Sequence, residues 1–202
     1  MPSTEVLLTL ARHVALIDLV VILDSALHLG DVTSDELAAS LQARRHGVRR
    51  LRKAALLGDR RSESPFETLL RILHLVCDIR VQPQRELWGE GRFVARGDLW
   101  LVGTQTFHEY DGADHRGRDR HRSDLRRERD VERAGWVRRG YTDLEVLHRP
   151  VEILRDADRT LDRTHDPGRL DTWYALLRQS CFTPSGRALL RRRLGLSDDL
   201  AA

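Results

Sequence analysis

Four carboxylates and two imidazoles fall within residues 98–115: Asp98 in GDLWLV, then Glu109, Asp111 and Asp114 with His108 and His115 in TFHEYDGADHRG. Gly103 and Thr104 separate the two segments. Glycine at the first of two central positions suits a two-residue type II′ hairpin turn. A hairpin centred there sets Asp98 opposite Glu109. Strand alternation then places Phe107, Glu109 and Asp111 on one face and Thr106, His108 and Tyr110 on the other. Two or three carboxylates converge on one side. Like charges opposed across a strand pair destabilise it, so the pattern requires either water or a cation between them. Hard oxygen donors suit magnesium or manganese. An ion held by Asp98 and Glu109 would activate water and stabilise charge on a phosphate in the transition state. A solvated acidic hairpin is the other reading, and spacing alone supports both.

Arginines follow the acids. Arg116, Arg118, Arg120 and Arg122 are the candidate phosphate contacts, because guanidinium forks match phosphate oxygens. Asp119, Asp124, Glu128, Asp130 and Glu132 interleave with these and the following arginines, the pattern of a solvated helix laced with ion pairs. His108, on the face away from the acids, reads as a packing or surface histidine.

The elements that must position these residues can be read from periodicity. Residues 5–28 carry apolar positions at helical spacing and end at Gly30. Thr33 and Glu36 form a capping box for a helix to about Ala43, and a short basic helix follows Gly47. Three helices ending in Arg49, Arg50, Arg52 and Lys53 fit a helix-turn-helix or a plain helical lead-in. Ser64, Pro65 and Glu67 suit the N-cap, first position and capping acid of another helix. Strand character marks RVQPQREL, RFVARGDLWLV, TQTFHEYD and GWVRRGY. An arginine-rich helix spans about 118–134. Thr142 and Glu145 cap a helix that runs towards Leu161 and bends at Pro150. Two helices, about 168–179 and 185–193, follow. The expected organisation is a helical lead-in over 1–60, an α/β domain over 61–150 and a helical extension over 151–202, with the dividing linker near Gly58 to Glu63.

Composition bounds the class. The chain has 202 residues, 41% apolar and 32% charged, with a net charge of +3. That supports a packed core and permits a polyanionic partner. Of 34 basic residues only one, Lys53, is lysine, which excludes most lysine-based catalysis. Cys77 and Cys181 show no zinc spacing and read as reduced thiols. The run VALIDLVVILDSALHL contains Asp18 and Asp24 and is too short to span a bilayer. No secretory leader opens the sequence, so the expected location is cytoplasmic, with no membrane partner.

Five segments in one order, SESPFETLL, GDLWL, HEYDGADHR, DLRRERDVERAGW and GYTDL, resemble the nuclease-like domain related to very-short-patch-repair endonucleases. That domain belongs to the PD-(D/E)xK superfamily, and the resemblance covers roughly residues 60–147. It implies a restriction-endonuclease-like α/β fold: a mixed sheet flanked by helices, here with helical N- and C-terminal extensions. Asp98 would be the motif aspartate and Glu109 the acid of the next strand, both holding magnesium or manganese. Glu67 would be the helix glutamate that faces the metal through water. Asp111 stands where the wider superfamily has lysine, a residue the repair-endonuclease branch also lacks. His115 would position or deprotonate the attacking water, for which a neutral imidazole is needed. Asp124 and Arg127 match the pair carried by the family's arginine-rich helix. The implied function is metal-dependent hydrolysis of DNA. The alternative is a catalytically inactive DNA- or protein-binding regulator of the abortive-infection type, because longer proteins similar to this one often carry an upstream antitoxin-like winged helix, and on that resemblance residues 1–60 would correspond to the linker helices that follow it. The terminal helices, with Trp173, Tyr174 and Phe182, offer a homodimer or protein contact.

Overall fold

The computed structural model describes residues 2–112 and 118–196, with the side chains of residues 118–125 outside the described set. The chain forms two compact units. One runs up to Ile72 and resumes at Asp171; the other spans Leu73–Leu170. Residues 151–170 therefore belong with the sheet, and the N- and C-terminal helices share one unit. The division falls inside a helix rather than at Gly58 to Glu63. Asp24 explains why: it accepts the Asp59 backbone N–H at 2.7 Å and holds Arg71 at 2.6 Å, while Arg71 donates to the Leu57 carbonyl at 2.6 Å. Those bonds tie the expected linker down.

The helical unit contains α1 (Ser3–Leu10), α2 (Leu16–His28), α3 (Ser34–Gln42), α4 (Val48–Leu57) and the start of α5 (Pro65–Val76). The single helix expected over residues 5–28 is broken at residues 11–15. Leu7, Leu8, Ala11, Val14, Ala15, Ile17 and Leu19 through Val21 are all buried. One straight helix cannot turn so many directions towards one core, so the chain folds back. The capping box of α3 forms as expected between Thr33 and Glu36. After the sheet unit come α9 (Asp171–Leu177) and α10 (Pro184–Arg193). Asp18 on α2 accepts the Ser180 hydroxyl and, at 2.9 Å, the Cys181 N–H. The core includes Leu19, Leu23, Leu51, Leu69 and Trp173.

The sheet unit is α/β. Strands β1 (Val81–Gly89), β2 (Arg92–Leu101), β3 (Thr106–Tyr110) and β4 (Val137–Tyr141) form a mixed sheet in the order β1-β2-β3-β4. The first three are antiparallel, and β4 joins β3 in parallel after the crossover helix α6 (Arg118–Arg133). Pro83 is tolerated because β1 is an edge strand that needs no second ladder. Val131 of α6 covers Leu87, Ala95 and Phe107 on one face. The single helix expected to run towards Leu161 with a bend at Pro150 is instead two, α7 (Asp143–His148) and α8 (Pro150–Thr160), which meet at Arg149, and a 3-10 turn (Pro167–Leu170) ends the unit. Both cysteines are free, and burial pushes each thiol up to about 11, so both stay protonated at neutral pH. Among the described residues no helix is long and apolar enough to cross a membrane.

Candidate functional site: an arginine-bound acid cluster

The hairpin register agrees with the expected one although its turn does not. Leu99 pairs with His108 and Trp100 with Phe107, so one more step sets Asp98 opposite Glu109. The connection is four residues, 102–105, instead of two. Gly103 (φ +90°) is the third residue of a turn closed by the Thr104 N–H on the Leu101 carbonyl at 3.1 Å. Such a φ at that position needs glycine. Thr104 then accepts the Trp100 indole N–H on its carbonyl at 2.8 Å and the Thr106 N–H on its hydroxyl at 3.0 Å. Because the longer loop has the same centre, the register is unchanged.

β3 is a central strand, and Thr106, Phe107, His108 and Glu109 are all buried. A buried carboxylate needs a partner, and Glu109 has two. Its Oε1 accepts from Arg127 at 2.6 Å and its Oε2 from Arg138. Arg127 also donates to the Arg96 carbonyl at 2.9 Å. Arg138 reaches on to Asp111 and bridges both acids. Burial works against the Arg138 charge, but Glu109 and Asp111 outweigh it and hold its pKa above the usual arginine value. Asp98 joins the cluster through the Tyr110 N–H, which donates to its Oδ2 at 3.1 Å. The cation required between these acids is thus, in this arrangement, the protein's own guanidinium. Glu109 is not the solvated acid of the alternative reading: its side chain is 6% exposed.

Nothing in GWVRRGY marks Arg138, because the segment by itself reads only as a strand. The parallel ladder sets Gly140 opposite Glu109. A β-carbon at Gly140 would stand 1.9 Å from Asp111 Oδ2, so the missing side chain leaves the space in which Asp111 and Arg138 meet. Alternation of Arg138 and Gly140 was the available signal; without the β3–β4 pairing it pointed nowhere.

The other candidates are distributed as follows. Glu67 lies in the first turn of α5, in the helical unit, where its Oε2 accepts the Glu63 N–H at 3.0 Å. Ser64 accepts the Glu67 N–H at 3.2 Å. This is a reciprocal cap, with the acid reaching one residue further back than in the expected box. His115 and Arg116 lie outside the described residues. Arg118, Arg120 and Arg122 belong to α6, but their side chains, like that of Asp124, lie outside the described set.

His108 is the packing histidine of the opposite face. It is fully buried. Its Nδ1 lies 2.9 Å from His74 Nε2, and its ring meets Tyr141 edge-on. Burial first, then the charges of His74 and Arg139, hold its pKa well below 6.5. A base whose folded pKa is depressed is protonated more readily in the unfolded chain. Its contribution is therefore complete above 6.5 and lost as pH falls below it. Stability is expected to decline below about pH 6.5 with a slope approaching 1.4 kcal/mol per pH unit. Urea midpoints measured against pH check this. An identical slope in His108→Phe would show that another group is responsible.

The donor set can be tested against the ion implied for it. Asp98 and Glu109 are hard oxygen donors opposed in register, and magnesium ordinarily takes one or two protein carboxylates, with waters and substrate phosphates completing its shell. In kind they fit. Glu109 would have to exchange a guanidinium for the ion. Among the described residues no group of three or more His, Cys, Asp or Glu side chains is placed to hold a metal ion. Compared with protein-family models, curated proteins and solved structures, the chain matches none.

Proposed function

We propose that the sheet unit is a nuclease-like domain of restriction-endonuclease type that binds DNA and hydrolyses its phosphodiester bonds. The observation that supports this best is the opposition of Asp98 to a buried Glu109 that draws two arginines to the same place. Acids to organise an attack and guanidinium forks to receive a phosphate are the two components such a reaction needs. Asp98 and Glu109 would hold magnesium or manganese, which when bound supplies Lewis-acid stabilisation and an activated water. Glu109 orients Arg127 and Arg138. Arg127, with 41% of its side chain exposed, is the one able to leave the carboxylate for a phosphate oxygen.

A second reading is a regulator that binds without cutting. The occupation of both Glu109 oxygens by arginine favours it. A plasmid-nicking assay separates the two. Wild-type protein is expected to nick DNA with magnesium or manganese and not with chelator. Asp98→Asn, which keeps an oxygen for the Tyr110 N–H, is expected to abolish nicking while binding persists. Binding without cleavage in any divalent metal would select the second reading. Undiminished cleavage by Asp98→Asn would remove the acid pair from the mechanism.

A further inference from the structure

The helical unit carries its own concentration of positive charge. A cavity of about 770 Å³ opens where the end of α1, the α3–α4 turn and the first turns of α4 meet, and Arg12, Arg44, Arg45, Arg49, Arg50 and Arg52 line it together with His46. Gly47 fixes this geometry: it has φ +87°, and a β-carbon there would lie 2.3 Å from the Leu8 carbonyl oxygen. The turn is therefore pressed against α1.

The charges are arranged against their own stability. The N-terminus of a helix is its positive pole and favours acids, yet the first turn of α4 holds Arg49 and Arg50 and no acid. Arg45 pairs with Glu5, and Arg52 donates to the Leu41 carbonyl at 2.7 Å. Among the described residues Arg12, Arg44, Arg49 and Arg50 have no ion pair and no side-chain hydrogen bond. Arg193 adds to the crowding. Burial and then Arg193 depress the Arg50 pKa, and Asp18 offsets only part of this. Clustered cations of this kind are stabilised when an anion sits among them.

We infer that this arginine-lined cavity of the helical unit binds the phosphodiester backbone of DNA without reading its sequence. The lining selects that ligand. It has no Phe, Tyr or Trp ring on which a base would stack, and its apolar side chains are the small Ala11, Ala43 and Val48. Phosphates are matched and bases are not, which is the division between positioning and specifying contacts. The same lining offers nothing large and apolar for a bilayer. The inference shares its ligand with the function proposed above, but it uses residues of the other unit.

The test measures duplex DNA binding by fluorescence anisotropy over a range of potassium chloride. The wild-type affinity is expected to fall steeply with salt. The triple variant Arg12→Ala, Arg44→Ala, Arg49→Ala is expected to flatten that dependence by roughly three units of slope, one per lost phosphate contact. A triple of exposed arginines of the sheet unit, Arg92→Ala, Arg133→Ala, Arg155→Ala, is the control for loss of net charge and is expected to change the slope by less than one unit. Arg44→Lys with Arg49→Lys keeps the charges and most of the affinity. If the triple variant fails to fold, Arg44→Ala and Arg49→Ala singly are each expected to remove roughly one unit. An unchanged slope in the cavity variants overturns the inference and leaves the Asp98→Asn nicking result to stand or fall alone. Displacement of the duplex by inorganic pyrophosphate at equal phosphate concentration also overturns it, assigning the cavity to a free phosphate compound.

Discussion

Asp158→Ala is expected to destabilise the sheet unit by about 3–5 kcal/mol, because it removes a buried carboxylate and leaves the half-buried cations around it without their counter-charge. Asp158 on α8 has a side chain only 1% exposed, and three cationic or potentially cationic groups converge on it. Arg163 Nε donates at 2.6 Å, His165 Nδ1 lies at 2.9 Å and an Arg169 N–H donates at 2.9 Å. Arg163 passes the connection on to the carbonyls of Cys77 and Asp78 at 2.9 and 3.0 Å. One carboxylate thus fastens α8, the segment that follows it and the turn between α5 and β1. Urea unfolding followed by tryptophan fluorescence reads the effect, since Trp88, Trp100 and Trp136 all lie in the sheet unit. Glu90→Ala provides the contrast. The Glu90–Arg92 pair spans 3.9 Å with side chains 89% and 84% exposed, and its loss is expected to cost less than about 0.5 kcal/mol. Equal losses in the two variants would show that the Asp158 cluster is not a buried one.

Glu109→Ala is expected to cost about 2–3 kcal/mol. The figure is lower than for Asp158 because one stranded arginine keeps a second carboxylate, whereas those at Asp158 keep only backbone carbonyls. Arg138 retains Asp111, and Arg127 retains the Arg96 carbonyl. Glu109→Gln keeps the shape and one acceptor but turns an amide donor towards a guanidinium, so about half the loss is expected. A change below about 0.5 kcal/mol in Glu109→Ala would mean that the carboxylate does not hold the arginines in solution, as for an exposed pair. On the proposed function the same variant has a second outcome: DNA binding persists or tightens, because a negative charge beside phosphate is gone, while nicking is lost.

What could be read from the sequence was local. The capping boxes at Thr33 and Glu36 and at Thr142 and Glu145 form between residues three apart, so their letters suffice. The Asp98–Glu109 register was legible because it depends only on the centre of a hairpin, even with the turn type misread. The arginine side of the site was not legible. Arg138 reaches Glu109 only because β4 lies parallel to β3 after a long crossover, and no pattern inside GWVRRGY announces that pairing. Arg127 was reached through resemblance and not through spacing. The break at residues 11–15 was hidden because apolar residues continue through it, and only the demand of one core for many faces reveals it. The Asp24–Arg71 pair, 47 positions apart, moved the division between units in the same nonlocal way.

The grip of Asp18 on Ser180 and Cys181 joins positions 162 and 163 apart, and it sets an order of assembly. Synthesis completes Leu73–Leu170 before it adds residue 180. The inner unit has every residue it needs while α2 still lacks the donors for its buried aspartate. Closing the outer unit is therefore a late, long-loop event, with an entropic cost that grows only slowly with the length enclosed. A chain truncated after Leu170 would hold every residue of the inner unit, while Asp18 of the outer one would lack both donors.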